Sequence, residues 1–379
     1  MKASNQATEE VRISADSHMG EPPDLWEKNL PARFRDRALR FPKIKLFEEN
    51  HHLRAGAWDP HERLKDLVVD GISAEVLFPT LGAQAWLVGD PELEEVHIRV
   101  YNDWMIDFCR VAPDRFWGLA MLSLWNVDNA ITELERCKSA GLRGASIWLV
   151  PPEELPYSSD HYERFWGAAQ SLDMPLAMHI NARSAPGPTH GPVLRQLHSV
   201  NGHKFDAMNA LGHIIGSGVL ERYPALRFVV AETGVGWIPF WLQEFDYYTA
   251  RGSRSPLPRP PSEYFYRQVY STFISDGIGA YLLNDYGKNN FLWSNDYPHP
   301  ACIWPDSIEL IQEDLGHLTP EDRGKVICGT VAQVFNGGRV PDPIQPVHDR
   351  QEVDTWLKTH TDFGASSRIR TGAKATEIG

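Results

Sequence analysis

The sequence predicts a (β/α)8 TIM barrel of the α/β class. Eight short apolar segments alternate along the chain with segments that have helical hydrophobic spacing. The apolar segments are continuous runs, which is typical of parallel strands covered on both faces. Eight such units favour a closed barrel over an open sheet. The 379 residues are enough for one barrel with additions.

Each element follows from a local pattern. The first strand, residues 11–15, runs directly into Asp16, and a long loop rich in proline and charge continues to Asp59. Asp59 before Pro60 is typical of a helix start. The later predicted strands are 74–79, 116–122, 144–150, 175–180, 226–231, 268–274 and 290–294. The predicted helices are 59–70, 91–111, 127–140, 160–172, 206–217, 235–248, 276–284, 306–315 and 320–334. We assign residues 1–340 to a single barrel and 341–379 to a C-terminal arm and loose tail.

Composition excludes several classes of function. The formal net charge is −13 and no block of Lys or Arg is present, so a nucleic-acid partner is not expected. An acidic surface does not attract anions in general, so any anion site must be local. No apolar run approaches the roughly 20 residues that span a bilayer, and the N-terminus has no apolar leader. We expect a cytoplasmic protein whose four widely spaced cysteines are free thiols.

Polar residues at strand ends indicate the site, because the active site of such a barrel lies at the carboxyl ends of its strands. Imidazoles and carboxylates converging there would be costly to bury without a cation, so we predict a divalent-metal site. The predicted ligands are Asp16 and His18 after strand one, His179 after strand five, Glu232 after strand six and Asp296 after strand eight.

The chain contains the motifs Ser14-Ala15-Asp16-Ser17-His18, Trp58-Asp59-Pro60, Tyr101-Asn102-Asp103-Trp104, Met178-His179-Ile180 and Ser294-Asn295-Asp296-Tyr297-Pro298-His299. These motifs resemble those of a known family, the amidohydrolase-related group of metal-dependent barrels. The resemblance covers about residues 13–336 and implies metal ligands at His18, His179 and Asp296. Many members have His where this chain has Asp16 and Glu232, and no Lys ends strand four.

The two substituted ligands make the predicted site rich in oxygen. Such a site suits Fe²⁺ or Mn²⁺ better relative to Zn²⁺, so Fe²⁺ is the favoured metal, with Zn²⁺ or Mn²⁺ as alternatives. Two further histidines are candidate ligands that would allow a second metal. They are His61, at the start of the helix that follows strand one, and His203, which follows strand five. For each, the alternative is a solvated or pocket-lining imidazole.

Three residues are candidates for catalysis beyond metal binding. Asp296 could take a proton from a metal-activated water. His299 follows it and should line the pocket. Arg183, just past His179, could hold a substrate carboxylate or phosphate, although a surface salt bridge is an equal alternative. A high content of Trp, with 13 residues, favours a bulky apolar small-molecule substrate.

Three reactions fit these residues. We favour hydroxylation with O₂ by a non-haem iron or diiron monooxygenase. Its substrate would be a terpenoid acyl-CoA of secondary metabolism. The reason is that the carboxylate-rich ligands and surplus histidines are similar to those of a monooxygenase branch of the family. The alternatives are hydrolysis by a metal-activated water and non-oxidative decarboxylation of an aromatic acid, whose carboxylate and neighbouring hydroxyl the metal would hold. A non-enzymatic binding protein is a further alternative. A homodimer is an open expectation that the resemblance implies.

Overall fold

Eight parallel strands form one sheet in chain order, as the sequence predicts. The computed structural model describes residues 10–41, 54–180, 182–183, 197–252, 257–287, 289–299, 302–346 and 351–359. Because every strand pairs in parallel with the next, all carboxyl ends lie at one end of the barrel. The strands are β1 Ile13–His18, β2 Ala74–Phe78, β3 Phe116–Met121, β4 Gly144–Ile147, β5 Leu176–His179, β6 Phe228–Ala231, β7 Val269–Phe273 and β8 Phe291–Trp293.

The barrel closes where β1 meets the segment that follows β8. The backbone N–H of Asp296 donates to the carbonyl of Asp16 over 3.1 Å, and that of His18 donates to Tyr297 over 2.6 Å. Together with the strand order, these bonds confirm the (β/α)8 fold class. They also place the residues after β8 directly beside the end of β1.

Helices surround the sheet. They are α1 Leu25–Asn29, α2 Pro60–Asp70, α3 Pro91–Cys109, α4 Val127–Ser139, α5 Glu163–Ser171, α6 His203–Gly216, α7 Val219–Arg222, α8 Ile238–Arg251, α9 Pro261–Gln268, α10 Gly277–Leu282, α11 Ser307–Leu315, α12 Pro320–Gly324, α13 Thr330–Asn336 and α14 Gln351–Thr359. Shorter 3₁₀ turns are Ala32–Arg37, Ala55–Ala57, Gly82–Leu87 and Asp160–Tyr162, and π turns are His198–Gly202 and Lys325–Gly329.

Local chemistry explains the start and the end of α2. The Asp59 carboxylate accepts hydrogen bonds from the backbone N–H groups of His61 and Glu62, and Pro60 occupies the first turn. Gly71 ends the helix in the left-handed region, with φ of 67°. This is the predicted start, and the helix continues to Asp70 as expected.

The structure differs from the sequence expectations near the C-terminus. The helix predicted over 320–334 is divided by the π turn at Lys325–Gly329. The arm contains α14, whose Val353 packs against Tyr297, Cys302 and Trp304. A short amphipathic segment in a polar arm is easily missed, because its helical pattern has few apolar positions. The boundary at residue 340 stays a prediction.

Two further expectations concern the interior and the membrane. All four cysteines are buried and free, in agreement with the sequence. Among the described residues, no helix combines the length and the apolar character that a bilayer crossing requires.

Candidate metal centre

The five predicted ligands converge at the mouth of the barrel. Asp16 and His18 are buried at the end of β1, and His179 is buried at the end of β5. Oδ1 of Asp16 lies 3.5 Å from Nε2 of both imidazoles. Nε2 of His18 lies 3.5 Å from Oδ1 of Asp296, and Nε2 of His179 lies 3.2 Å from Oε2 of Glu232. The sequence therefore identified a real spatial cluster.

Irregular backbone directs three of these carboxylates inward. The pairing of β1 with β2 shifts register between Ser14 and Ser17, which places one extra residue in β1 beside Asp16. Glu232 and Asp296 follow their strands in the left-handed region, with φ of 58° and 56°. Non-glycine residues adopt this conformation rarely, and it is concentrated at functional sites.

Backbone carbonyls fix the tautomers of both buried histidines. Nδ1 of His18 lies 3.3 Å from the carbonyl oxygen of Pro79, and Nδ1 of His179 lies 2.7 Å from that of Ile180. Because a carbonyl only accepts, each Nδ1 carries the hydrogen. Each Nε2 then directs its lone pair at the cluster, which is the arrangement of a metal-binding histidine.

Burial and mutual charge shift the protonation of the cluster. Burial works against the charge of Asp16, but the facing His179 holds the pKa of that carboxyl well below its usual range. Burial alone would lower the pKa of His179, yet the charge of Asp16 raises it to about 9. Burial and the charge of His299 lower the pKa of His18 to about 4. Burial and the charge of Asp296 raise the pKa of Glu232 to about 8.

The residues present fit a divalent cation. Four buried atoms that face one another make no hydrogen bond of standard geometry with the described residues, namely Oδ1 of Asp16, Nε2 of His18, Nε2 of His179 and Oδ2 of Asp296. Buried polar atoms are rarely left without a partner. Ligand atoms of Asp16, His18 and His179 lie within 4.8 Å of one another, and so do those of His18, Glu232, Asp296 and His299. Ligands about 2.0–2.2 Å from one ion have such separations.

His299 also belongs to the cluster, at its more open side. Its Nδ1 lies 2.9 Å from Oδ1 of Asp296, and its ring stacks on that of His18 with centroids 3.8 Å apart. Burial opposes its charge, but Asp296 raises the pKa of His299 above the ordinary value. Sequence reasoning missed Thr80, whose hydroxyl lies 3.1 Å from Nε2 of His299. The sequence could have identified Thr80 by its position, because it comes directly after the Pro that follows β2.

A fully hydrogen-bonded set of residues lies behind the centre; we call it the Asn295 network. The Asn295 side chain accepts from the Ser17 hydroxyl over 3.0 Å and donates to Asp70 over 3.2 Å. Its backbone N–H donates to the Ser14 hydroxyl over 3.1 Å. Asp70 also accepts from the hydroxyl and the N–H of Ser307, over 2.6 Å and 3.0 Å. The network joins β1, α2 and α11 to the residue that precedes Asp296.

Thr272 of β7 was also missed by sequence reasoning. Its hydroxyl donates to Oδ2 of Asp16 over 2.9 Å and accepts from the backbone N–H of Glu232 over 2.8 Å. It therefore orients the Asp16 carboxylate and holds the backbone of Glu232 at the same time. A threonine within an apolar strand carries no distinctive signal, because threonine is common in strands.

Three predicted residues lie outside the cluster. His61 is exposed on the first turn of α2, and His203 is buried at the start of α6, but neither is among the grouped ligand atoms. A second metal held by either residue stays a prediction, because a helix start locates the barrel end without fixing the side chain's direction. Arg183 lies over the rings of Trp125 and Trp148 and not within the cluster.

The barrel and its cluster of strand-end imidazoles and carboxylates define the class of protein. The chain belongs to the amidohydrolase family, whose model, described as Amidohydrolase, matches residues 15–337.

Named relatives give a narrower comparison. The γ-resorcylate decarboxylase of Polaromonas sp. strain JS666 is 26% identical over 315 residues, which are 76% of this chain and 90% of the relative. The solved structure of an amidohydrolase from Mycobacterium avium subsp. paratuberculosis is similar with a TM-score of 0.72 and 16% identity, over 86% of this chain and 99% of that one. A dihydroxybenzoic acid decarboxylase from Polaromonas sp. JS666, solved with bound manganese and the inhibitor 2-nitroresorcinol, has a TM-score of 0.61 and 22% identity, over 87% and 98%.

These comparisons correct the expected reaction. The expectation of an iron or diiron monooxygenase, similar to the enzyme of platensimycin and platencin biosynthesis, is wrong, because the named relatives are decarboxylases. The preference for Fe²⁺ and for O₂ as a partner was part of the same error. Its physical cause is that carboxylate-rich sites suit Mn²⁺ as well as Fe²⁺, so ligand hardness does not select a reaction. The homodimer stays a prediction.

Proposed function

We propose that this chain is a divalent-metal-dependent, non-oxidative decarboxylase of an aromatic acid. The observation that carries the proposal is the unpartnered, mutually facing set of ligand atoms at the barrel mouth, in a chain whose curated relatives include γ-resorcylate decarboxylases. Mn²⁺ is the metal that we favour, because the ligand set is rich in oxygen and a structurally similar decarboxylase carries manganese.

We assign the metal ligands to His18, His179, Asp16 and Asp296, with Glu232 beside them. His18 offers only Nε2, because its Nδ1 donates to a carbonyl. Both groups of neighbouring ligand atoms, that of Asp16, His18 and His179 and that of His18, Glu232, Asp296 and His299, contain His18. Because one imidazole nitrogen binds one ion, the two groups form a single metal centre. A bound cation would hold the carboxylate and the neighbouring hydroxyl of the acid and offset their negative charge.

Side chains of the protein supply the proton that replaces the carboxyl group on the ring of the substrate. The bond between the ring and the carboxyl carbon breaks, CO₂ leaves, the electron pair stays on the ring carbon and a proton takes its place. No oxidant or reductant is needed. We assign the donor to the pair of Asp296 and His299, whose facing atoms lie 2.9 Å apart, so that His299 resupplies the proton that Asp296 delivers. Thr80 orients His299 from the other side.

The test is decarboxylation without oxygen. Protein loaded with Mn²⁺ is incubated with 2,6-dihydroxybenzoate, salicylate and hydroxylated benzenedicarboxylates, and CO₂ release is measured in air and under argon. We expect release from at least one acid at the same rate in both atmospheres. Asp296→Asn should lower the rate about 10²–10⁴-fold, whereas Asp285→Asn, at an exposed carboxylate, should not. Metal-loaded protein that releases no CO₂ from any of these acids would contradict the proposal.

A further inference from the structure

One buried carboxylate lies close to the metal centre without belonging to it. Glu21 comes three residues after His18 and is fully buried, and it is absent from both groups of neighbouring ligand atoms. The backbone between the two residues is fixed, because the N–H of Met19 donates to the carbonyl of Phe78 over 3.0 Å. Phe78 is the last residue of β2, so the Glu21 side chain is held beside the end of that strand.

The carboxylate of Glu21 accepts hydrogen bonds from three consecutive backbone N–H groups. Oε1 accepts from Thr80 over 3.1 Å and from Gly82 over 3.2 Å, and Oε2 accepts from Leu81 over 2.8 Å. Hydrogen bonds to a charged acceptor are stronger than those between neutral groups. Only a side chain with two acceptor oxygens and no donor satisfies all three N–H groups. We call residues 79–82, which follow β2, the 79–82 segment, and Glu21 holds it in place.

The 79–82 segment in turn contacts two imidazoles of the centre. The carbonyl of Pro79 lies 3.3 Å from Nδ1 of His18 and accepts its hydrogen. The hydroxyl of Thr80 lies 3.1 Å from Nε2 of His299 and 3.5 Å from Nδ1 of His18. A shift of the segment would therefore change the direction of the His18 lone pair and the approach of His299 to Asp296. Groups that orient a metal-binding histidine affect the affinity for the metal.

We propose that Glu21 is a positioning residue of the metal centre, which acts through the 79–82 segment on the imidazoles of His18 and His299. Loss of the carboxylate would leave three N–H groups without an acceptor and release the segment. The contact with His18 predicts an effect on metal affinity that requires no turnover. The contact with His299 rests on the proposed decarboxylation, in which His299 resupplies a proton to Asp296.

Metal affinity tests the contact with His18. Metal-free protein is titrated with Mn²⁺ at pH 8 under argon, and free Mn²⁺ is measured by electron paramagnetic resonance. Burial raises the pKa of Glu21 to about 7, so its carboxylate is mostly ionised at pH 8. Glu21→Gln keeps the shape of the side chain but places an amide NH₂ against an N–H donor, and we expect about 10–100-fold weaker binding. Binding as tight as that of the wild type would overturn the inference.

The matched control is the same substitution at another buried glutamate. Glu94 lies on α3, is almost fully buried, and accepts from the indole N–H of Trp125 over 3.1 Å. Glu94→Gln should change the Kd for Mn²⁺ by less than about twofold, because it touches neither the segment nor a proposed ligand. Equal weakening by Glu94→Gln and Glu21→Gln would show that any buried glutamate has this effect, and it would overturn the inference.

Amide hydrogen exchange of the metal-free protein separates positioning from a general structural role. In Glu21→Gln, exchange should rise about tenfold or more in peptides that contain Thr80, Leu81 and Gly82, because their acceptor is lost. Exchange in peptides that contain β5 and β6 should stay as in the wild type. A rise throughout the barrel would indicate global destabilisation and contradict the positioning role.

A second variant displaces the Glu21 carboxylate without removing it. A Cβ at Gly82 would lie 3.0 Å from Oε1 of Glu21 and equally close to the ring of Tyr101. Gly82→Ala should therefore weaken Mn²⁺ binding in the same direction, even if Glu21→Gln does not fold. Gly212→Ala on α6 is the control, because a Cβ there meets nothing within 4 Å. Unchanged affinity in Gly82→Ala would count against the inference.

Combining the two variants shows whether they act on one contact. Added to Glu21→Gln, Gly82→Ala should weaken Mn²⁺ binding by less than about twofold further, because the contact between the two residues is already lost. A fully additive effect would place the cause of the Gly82→Ala effect at Tyr101 and contradict the inference.

Turnover tests the contact with His299. At saturating Mn²⁺, with an acid that the wild type decarboxylates, Glu21→Gln should lower kcat about tenfold or more and change KM less than about threefold. Thr80→Val removes the hydroxyl beside His299 and keeps the shape of the side chain. In the Thr80→Val background, Glu21→Gln should lower kcat by less than about threefold, since its connection to His299 is already broken. Fully additive losses of kcat would contradict the inference.

The two kinds of measurement separate this inference from the proposed function. Weaker Mn²⁺ binding in Glu21→Gln, in a protein that releases no CO₂, would support the positioning role and contradict the decarboxylase. CO₂ release by the wild type, with a Mn²⁺ affinity that does not depend on Glu21, would do the reverse.

Discussion

Two buried polar groups meet at the junction of β1 and β8, and they differ in one respect. In the metal centre, Oδ1 of Asp16, Nε2 of His18 and Oδ2 of Asp296 make no hydrogen bond of standard geometry with the described residues. In the Asn295 network, one residue earlier in the chain, Asn295 and Asp70 are bonded throughout. Both groups are almost fully buried.

The difference indicates that the buried polar residues of the Asn295 network stabilise the fold, whereas those of the metal centre bind a ligand. A satisfied buried network stabilises the structure by itself, whereas an unsatisfied one destabilises it until a ligand binds. Asn295 and Asp296 are neighbours, so neither burial nor position in the sequence distinguishes them. The two residues differ in whether the hydrogen-bonding atoms of their side chains are satisfied. Four experiments test this comparison.

The largest effect should come from removing a ligand. His179→Ala should lose bound metal and lower decarboxylation by more than about 100-fold, because even residues that only support a ligand account for 10–100-fold in metal affinity. Elemental analysis and CO₂ release measure the two outcomes. His213→Ala on α6 is the control, since His213 lies outside the grouped ligand atoms and contacts Ser158. Unchanged metal content in His179→Ala would remove His179 from the centre.

Metal removal should destabilise the protein without breaking the network. Because only the folded chain presents the ligands together, Mn²⁺ at about 100 times its Kd should add about 2.7 kcal/mol to the free energy of unfolding. Chemical denaturation with Mn²⁺ and with a chelator measures this difference. The His179→Ala protein serves as its own control, because it should show little difference between the two conditions. Equal stability of the wild type in both would indicate that the centre does not bind the ion.

A variant of the network should change stability and not metal content. Ser307→Ala removes the hydroxyl that donates to Asp70 over 2.6 Å, and we expect a loss of about 1–3 kcal/mol. Ser275→Ala is the control, because its hydroxyl also donates to an aspartate, Asp314, but at an exposed position. That change should stay within about 0.5 kcal/mol. Loss of metal from folded Ser307→Ala would mean that the two groups are not separable.

The smallest effect concerns Glu94, which is only partly satisfied. Burial raises its pKa to about 7 in the folded protein, above the unfolded value of about 4.3. Its stabilising effect is therefore complete below the unfolded pKa and is lost as pH rises through about 7. Glu94→Gln has no charge to bury, so relative to the wild type it should gain about 1–2 kcal/mol between pH 5 and pH 8.

Thermal unfolding at the two pH values measures the gain. Glu92→Gln, at an exposed position in the same turn of α3, is the control and should show no such trend. If the wild type and the Glu94→Gln variant lose stability in parallel from pH 5 to pH 8, the buried Glu94 carboxyl is not neutral and the prediction is wrong.

The sequence predicted the residues that converge at the barrel mouth, but not the residues that hold them in place. Asp16, His179 and Asp296 were found because a strand end is a local feature and every strand end of a parallel barrel lies on one side. The contact of Arg183 with the rings of Trp125 and Trp148 was not predicted, because those rings come from other strands and their approach depends on the whole barrel. Ligation by His61 stays a prediction, because the start of a helix does not determine the direction of a side chain.

The reaction was mistaken for a different reason. Replacing two imidazoles by Asp16 and Glu232 changes the preferred metals, and several chemistries use the same metals. The named relatives favour decarboxylation, which the donor atoms alone do not distinguish from the other reactions.

The acceptors that orient His18 and His179 are main-chain carbonyls, those of Pro79 and Ile180. A side-chain acceptor is lost by a single codon change, but a carbonyl is present whichever amino acid occupies the position. The tautomers of the two imidazoles are thereby protected from mutation at the residues that set them. During divergence of the family, sequence around these histidines can drift while the nitrogens continue to present their lone pairs to the same point in the barrel.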